Sequence, residues 1–157
     1  MSANPLLALQ LVLERAEADR DEALAKLRQA EQRAEAMRRQ QAELAQYRSD
    51  YRQRWTQSFA RSTTTDILGC YQTFGTRLDQ AVSHQDAVSQ QADQGLTRAR
   101  QQLQEKELRV ASVRKLLERR QDEQRRAEER REQRATDEQA ARTVRGAGFS
   151  ADLRLRA

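Results

Sequence analysis

The chain has 157 residues and a net charge of +5; 34% of its residues are charged, 37% are apolar and only 4% are aromatic. So few large apolar side chains cannot fill an ordinary globular core. Ala, Glu, Gln, Arg and Leu dominate instead, as in long helices and coiled coils, and this composition excludes β-sandwiches, Rossmann sheets and disulfide scaffolds. Cys70 is the single cysteine, which fits a reducing cytoplasm.

The first predicted helix begins at Asn4-Pro5, where Asn can cap the free N–H groups and Pro suits the first helical position. Neither Gly nor Pro occurs between Pro5 and Arg61, so this helix is predicted over about 5–61. Its apolar run at 6–13 is much shorter than the roughly 18 residues of a transmembrane helix and has no positive segment before it. The run therefore predicts neither a membrane span nor a signal peptide.

A turn is predicted over about 62–65, and Thr63 with Asp66 has the spacing of a capping box. The second helix is predicted from about 66 to 142, because its charged and Gln-rich sequence favours a helix despite Gly69 and Gly75. Residues 1–145 then form a single domain, and residues 146–157 are predicted to be a disordered tail.

Heptad repeats predict an apolar seam on each helix. On the first helix the a positions are Leu6, Leu13, Arg20, Leu27, Ala34, Gln41, Arg48 and Trp55, and the d positions are Leu9, Ala16, Ala23, Ala30, Met37, Leu44, Tyr51 and Ser58. The seam of the second helix is Tyr71, Gly75, Leu78, Val82, Gln85, Ser89, Ala92, Leu96, Ala99, Leu103, Lys106, Val110, Val113 and Leu117.

Folding the chain at Thr63 places every residue of the second seam opposite a residue of the first, with facing residue numbers that add to 126. Leu27 then faces Ala99, and Tyr51 faces the small Gly75. Gln41 faces Gln85, where two amides can bond across the seam and oppose slippage. We therefore expect an all-α fold, a long antiparallel two-helix coiled-coil hairpin.

The charge pattern and the rare residue types argue against nucleic-acid binding, catalysis and metal binding. Acidic and basic residues alternate at i, i+4, as in Glu22–Lys26 and Glu105–Arg109, which is typical of solvated helix faces rather than of a nucleic-acid-binding surface. His84 and Cys70 form neither a nucleophile–base pair nor a metal site, and no phosphate-binding glycine motif is present. We therefore expect that the chain is not an enzyme and that it has no cofactor, no metal and no nucleic-acid partner.

Two regions carry more apolar surface than a two-helix seam uses. The first turns present Leu7, Leu11 and Val12 beside the seam, and residues 121–142 extend past the N-terminus as a charged helix. Near the turn, Tyr47 and Phe74 flank the seam. Exposed apolar groups of this kind indicate docking sites; local thickening of the coiled coil is the alternative.

Four motifs follow one another along the two predicted helices: Gln40-x3-Leu44-x2-Tyr47-x3-Tyr51, Phe74-x3-Leu78-x2-Ala81-x3-Gln85, Leu116-Leu-Glu-Arg-Arg120 and Glu132-Gln-Arg-Ala-Thr-Asp-Glu138. In this order they resemble the FliJ family, the small coiled-coil component of the flagellar type III export apparatus, and the resemblance covers most of residues 5–142.

The resemblance implies a stalk like the γ-subunit coiled coil of rotary ATPases. Such a stalk enters the export ATPase ring, promotes its activity and contacts the cytoplasmic domain of the membrane export gate, with export chaperones as further partners. It implies roles in flagellum biogenesis, motility and chemotaxis, and a cytoplasmic protein held peripherally at the inner face of the cell membrane without direct membrane insertion. The alternatives are the stalk of a virulence injectisome and a free-standing coiled-coil chaperone or scaffold.

Two sets of contact residues follow as expectations. From the family motif and the off-seam apolar groups, the residues expected to contact the export gate are Gln40, Leu44, Tyr47, Tyr51, Phe74, Leu78, Ala81 and Gln85. From the apolar first turns and the charged extension, the residues expected to contact the ATPase ring are Leu6, Leu7, Leu11, Val12, Arg119, Arg120, Arg126 and Arg130.

Overall fold

Two long helices packed against each other form an all-α hairpin, without a strand among the described residues. The structure, a computed structural model, describes the backbone of residues 5–155 and the side chains of residues 5–146. Helix α1 spans Pro5–Phe59 and helix α2 spans Thr65–Leu155. Pro5 opens α1 as predicted, whereas the expected cap Asn4 lies outside the described residues.

The turn between the helices differs from the prediction at both ends, because α1 ends two residues before the predicted 61 and α2 begins one residue before the predicted 66. Helix α1 ends at Phe59, and the N–H of Arg61 donates to the carbonyl of Ser58 at 3.1 Å. The first backbone bond of α2 runs from the Leu68 N–H to the Thr64 carbonyl at 3.1 Å. The N-cap is therefore Thr64, one residue after the predicted Thr63, and Asp66 lies in the first turn, where a negative charge favours the helix dipole.

Helix α2 also continues past its predicted end. It ends at Leu155 rather than near Arg142, so residues 146–155 are helical where a disordered tail was predicted. Glycine lowers helix propensity by about 1 kcal/mol without blocking the backbone hydrogen bonds, and no proline follows Gly146. Residues 156 and 157 of that tail lie outside the described residues.

The chain divides into two compact units, one formed by Ala16–Arg109 and the other by Met1–Arg15 with Val110–Ala157. In the unit of Ala16–Arg109, the seam is confirmed by burial. Ala34, Ala92 and Leu96 form its core cluster, against which Leu27, Ala30 and Met37 pack. Small Ala side chains let the two helices approach closely, so that few large residues are needed.

The register within Ala16–Arg109 agrees with the prediction to about one residue. The Gln41 amide donates to the Asp86 carboxylate at 2.7 Å, and the Gln85 amide donates to the Met37 carbonyl at 3.2 Å. The two glutamines therefore lie at the expected level, but the predicted bond between their amides is replaced by two separate bonds. For Gln41, the carboxylate is a stronger acceptor than an amide oxygen. For Gln85, the backbone carbonyl is a more fixed acceptor than a side-chain amide.

One flank of the same unit carries ion pairs between e positions of the two helices. Arg38 pairs with Asp93 at 2.7 Å and Arg52 with Asp79 at 2.8 Å, while Arg48 lies 3.6 Å from Asp79. Antiparallel coiled coils place e positions opposite one another, and such exposed pairs contribute little stability each but favour one register.

In the unit of Met1–Arg15 and Val110–Ala157, the seam residues are half-buried at Leu6, Leu9 and Leu13 of α1 and at Val113 and Leu117 of α2, and Val110 is buried. Beyond Leu117 every described side chain up to 146 is exposed except the half-buried Ala127. Pairs within the helix support this segment, as between Arg120 and Glu123 at 3.0 Å.

Candidate partner-binding surfaces

An aromatic cluster at the turn end of the hairpin positions the first candidate surface. It consists of Tyr51, Trp55 and Phe59 of α1 with Tyr71 and Phe74 of α2. Ring centroids within it lie 4.7 to 6.1 Å apart, at the separations of favourable aromatic pairs. Tyr51 stacks on Tyr71 at 5.4 Å and contacts Phe74 at 4.7 Å.

The heptad pattern predicts Tyr51, Trp55 and Tyr71 on the seam, but it predicts neither the aromatic cluster nor the part of Phe59 in it. The i, i+4 spacing of positions 51, 55 and 59 was the available signal. Tyr51 and Gly75 line one depression together, although a Cβ added at Gly75 would meet no atom within 4 Å. Tyr51 packs against other rings.

The eight residues expected to contact the gate form what we call the loop-proximal surface. On both helices they alternate between g and d positions, so they share one side of the hairpin. The d residues lie inward: Leu78 is buried, and Leu44, Tyr51 and Gln85 are half-buried. The g residues Gln40, Tyr47, Phe74 and Ala81 are exposed.

The expected exposure of the two aromatic g residues is confirmed, at 52% for Tyr47 and 42% for Phe74. Tyr47 lines an open depression with Gln40, Glu43, Leu44 and Gln85, which draws four of the eight residues together across the two helices. Phe74 lines a second depression whose other walls are Thr65, Asp66, Gly69, Cys70, Thr73 and Arg77. The first depression is therefore formed by both helices, whereas the second is lined by α2 alone.

Burial raises the pKa of the Tyr51 phenol above its ordinary value of 10.0, and the neighbouring Tyr71 phenol raises this pKa further. The Tyr51 hydroxyl donates to the Tyr71 carbonyl at 3.4 Å. Because the folded-state pKa is the higher one, the phenol stabilises the fold fully below pH 10, and this contribution is lost as the pH rises through the folded-state pKa.

We therefore expect the free energy of unfolding to fall with rising pH above about pH 10, and to fall less in a Tyr51→Phe variant. Urea unfolding of both proteins at a series of alkaline pH values measures this difference. Equal pH dependence in the two proteins would mean that Tyr51 is not the titrating group.

The second set forms what we call the terminal surface, and it lies within the unit of Met1–Arg15 and Val110–Ala157. Leu7 and Leu11 are 57% and 58% exposed, and Val12 is also exposed, whereas Leu6 is half-buried on the seam. The arginines of this set, Arg119, Arg120, Arg126 and Arg130, are all exposed. Arg119 and Arg126 line one shallow depression with Lys115, Glu118, Asp122 and Glu123.

Apolar residues outside the two predicted sets are exposed as well. They are Ile67, Leu68, Leu108, Leu116 and Val144. Ile67 and Leu68 lie in the first turn of α2.

The part of the chain that the structure describes holds no group of three His, Cys, Asp or Glu residues able to bind a metal ion. Cys70 and His84 are both exposed. Within the described residues, neither helix has a stretch apolar and long enough to cross a bilayer.

A family model described as "FliJ: Flagellar FliJ protein" matches residues 5–148. The match covers most of the chain and includes both surfaces, and it confirms the resemblance found in the sequence. Comparison with curated proteins gave no match, and comparison with solved structures gave none.

Proposed function

The chain belongs to the FliJ family, and from this premise we propose that it is the stalk that links the flagellar export ATPase to the export gate. Membership gives the protein a role in flagellar type III protein export, in which the family is a non-enzymatic component of the export apparatus. The flagellar description of the family favours this system over a virulence injectisome.

The observation that carries the proposal is the presence of two exposed apolar surfaces, one in each unit. A two-helix seam occupies only about two positions in seven, and Leu7, Leu11, Tyr47 and Phe74 lie outside it. Covering apolar side chains that lie in water on charged helices lowers the free energy. We assign the loop-proximal surface to the export gate and the terminal surface to the ATPase ring.

The terminal surface suits a ring that changes conformation as it turns over ATP. Its leucines supply apolar area, while the arginines and glutamates around 118–130 alternate on all faces of α2. Charges of both signs in water form weak, exchangeable pairs rather than one fixed grip. Through its contact with the gate, the stalk is held at the inner face of the membrane. Export chaperones are further partners.

We expect the cognate export ATPase to hydrolyse ATP faster in the presence of the full chain than alone, because the stalk contacts its ring. Steady-state phosphate release with and without the chain measures this. Unchanged hydrolysis over a range of chain concentrations, with a correctly assembled ATPase, would contradict the proposal and favour a free-standing chaperone or scaffold.

A further inference from the structure

The seam of the Ala16–Arg109 unit is not filled at Gly75. A glycine inside a helix makes the helix less stable than an alanine would, and close approach of a second backbone is the usual reason for it. That reason does not apply here, because a Cβ added at Gly75 would meet no atom within 4 Å. The hairpin therefore leaves space at a seam position that its own packing does not need.

A depression between the two helices opens at this glycine. Arg48, Tyr51 and Arg52 line it from α1, and the lining from α2 includes Tyr71, Gly75 and Asp79. The two tyrosines are half-buried, so they lie inward of the exposed Arg52 and Asp79. The volume of about 420 Å³ is at the lower end of the range of small-molecule pockets. It has room for one side chain with bound water.

Two arginines share one carboxylate in this depression. Arg52 Nη2 donates to Asp79 Oδ1 at 2.8 Å, whereas Arg48 Nη1 lies 3.6 Å from the same oxygen, beyond hydrogen-bond distance. The side chain of Arg48 is 33% exposed and that of Arg52 is 56% exposed, so the guanidinium with the more distant carboxylate is also the less hydrated one. Arg48 is therefore the group that gains most from a second anion.

The charge of the depression selects the class of anion. Its charged residues are Arg48, Arg52 and Asp79, which leave one positive charge in excess. A carboxylate carries one negative charge and neutralises this excess, whereas a phosphate group carries about 1.5 to 2 and would reverse it. The planar guanidinium also matches the planar carboxylate, and the nearby rings of Tyr51 and Tyr71 offer apolar contact to the methylene groups of an acidic side chain.

We propose that the depression at Gly75 binds the carboxylate of a glutamate or aspartate side chain from a partner protein. The carboxylate pairs with Arg48, and the methylene groups occupy the space beside Gly75. The e position of Asp79 lies across the seam from the g positions of Tyr47 and Phe74. The acid-binding depression is therefore an additional contact, and it does not depend on the assignment of the loop-proximal surface to the export gate.

The test follows the backbone amides of Gly75 and Thr76 by NMR in the full, ¹⁵N-labelled chain. The probes are the capped peptide acetyl-Ala-Glu-Ala-amide, the same peptide with Gln in place of Glu, and inorganic phosphate. Arg48→Gln removes the cation, and Gly75→Leu fills the space. The matched controls are Arg39→Gln at an exposed arginine and Gly95→Leu at a half-buried glycine that also has no atom within 4 Å of an added Cβ.

We expect the glutamate peptide to shift both amides saturably and the glutamine peptide to bind at least about tenfold more weakly. Arg48→Gln and Gly75→Leu should each weaken binding of the glutamate peptide at least about fivefold, and both controls should bind it as the wild type does. Leucine favours a helix more than glycine does, so Gly75→Leu should melt no lower than the wild type. Weaker binding without a lower melting temperature separates the site from the fold.

Four outcomes would overturn the proposal. They are the absence of a saturable shift with the glutamate peptide, equal binding of the glutamine peptide, wild-type binding by Arg48→Gln and Gly75→Leu, and tighter binding of phosphate than of the glutamate peptide. The last would assign the depression to a phosphate group. If Gly75→Leu melts below the wild type, Gly75→Ala replaces it, with an expected loss of about twofold, because its single added carbon meets no atom within 4 Å.

Discussion

Replacing Leu7 and Leu11 together by Asp should abolish stimulation of the export ATPase while leaving the hairpin folded. Both leucines are more than half exposed, so their removal takes no core packing from the chain. Acidic residues near a helix N-terminus are favourable to the helix dipole, and circular dichroism should therefore report unchanged helicity. The loss should appear only where the ATPase ring would cover these side chains.

The size of this effect follows from apolar burial. Each leucine that becomes fully buried contributes about 1.5–3 kcal/mol, so losing two weakens binding by roughly two to four powers of ten. Phosphate release by the ATPase, titrated with wild-type or variant chain, measures the change. Leu108→Asp is the matched control, because Leu108 is 62% exposed but lies outside the terminal surface. Wild-type stimulation by the double variant would mean that the ring contacts another part of the chain.

A Tyr47→Ala, Phe74→Ala double variant should lose binding to the cytoplasmic domain of the export gate by more than about a hundredfold. Aromatic anchors at interfaces commonly cost 2 kcal/mol or more when they are truncated. Calorimetric titration of the gate domain with each protein measures the loss. Undiminished binding by a variant that keeps its helicity would remove the loop-proximal surface from the gate contact.

Phe74 also supports the fold, since its ring lies 4.7 Å from that of Tyr51. The control must therefore lose comparable packing without touching the surface. Phe59→Ala meets this condition, because Phe59 packs on Tyr71 at 5.0 Å and on Trp55 at 5.3 Å but lies at an e position. Phe59→Ala should lower the melting temperature and leave gate binding intact, which separates stability from recognition.

The seam and its register could be predicted from sequence because they depend on periodicity. Ala34, Ala92 and Leu96 were placed correctly, since a helix repeats every 3.6 residues and leaves each residue little choice of face. The exposure of Tyr47 and Phe74 followed from the same geometry. Once the heptad is assigned, the e and g positions on the two sides of the seam are fixed.

Periodicity does not predict which hydrogen-bond partner a side chain takes or the exact residue at which a helix begins. Gln41 bonds to Asp86 rather than to Gln85, because an ionised carboxylate within reach is a better acceptor than an amide. The cap fell at Thr64 rather than Thr63, since either Thr satisfies the same preference. Which protein covers each surface is set by the partner's sequence.

The aromatic cluster has a consequence for the order in which this hairpin folds. The contact of Tyr51 with Tyr71 joins residues 20 apart in sequence, whereas that of Arg38 with Asp93 joins residues 55 apart. Closing a shorter loop costs less conformational entropy. The aromatic cluster buries its apolar area where the loop to be closed is short. We expect the chain to nucleate at the rings and to zip away from the turn, with Arg38 and Asp93 meeting later.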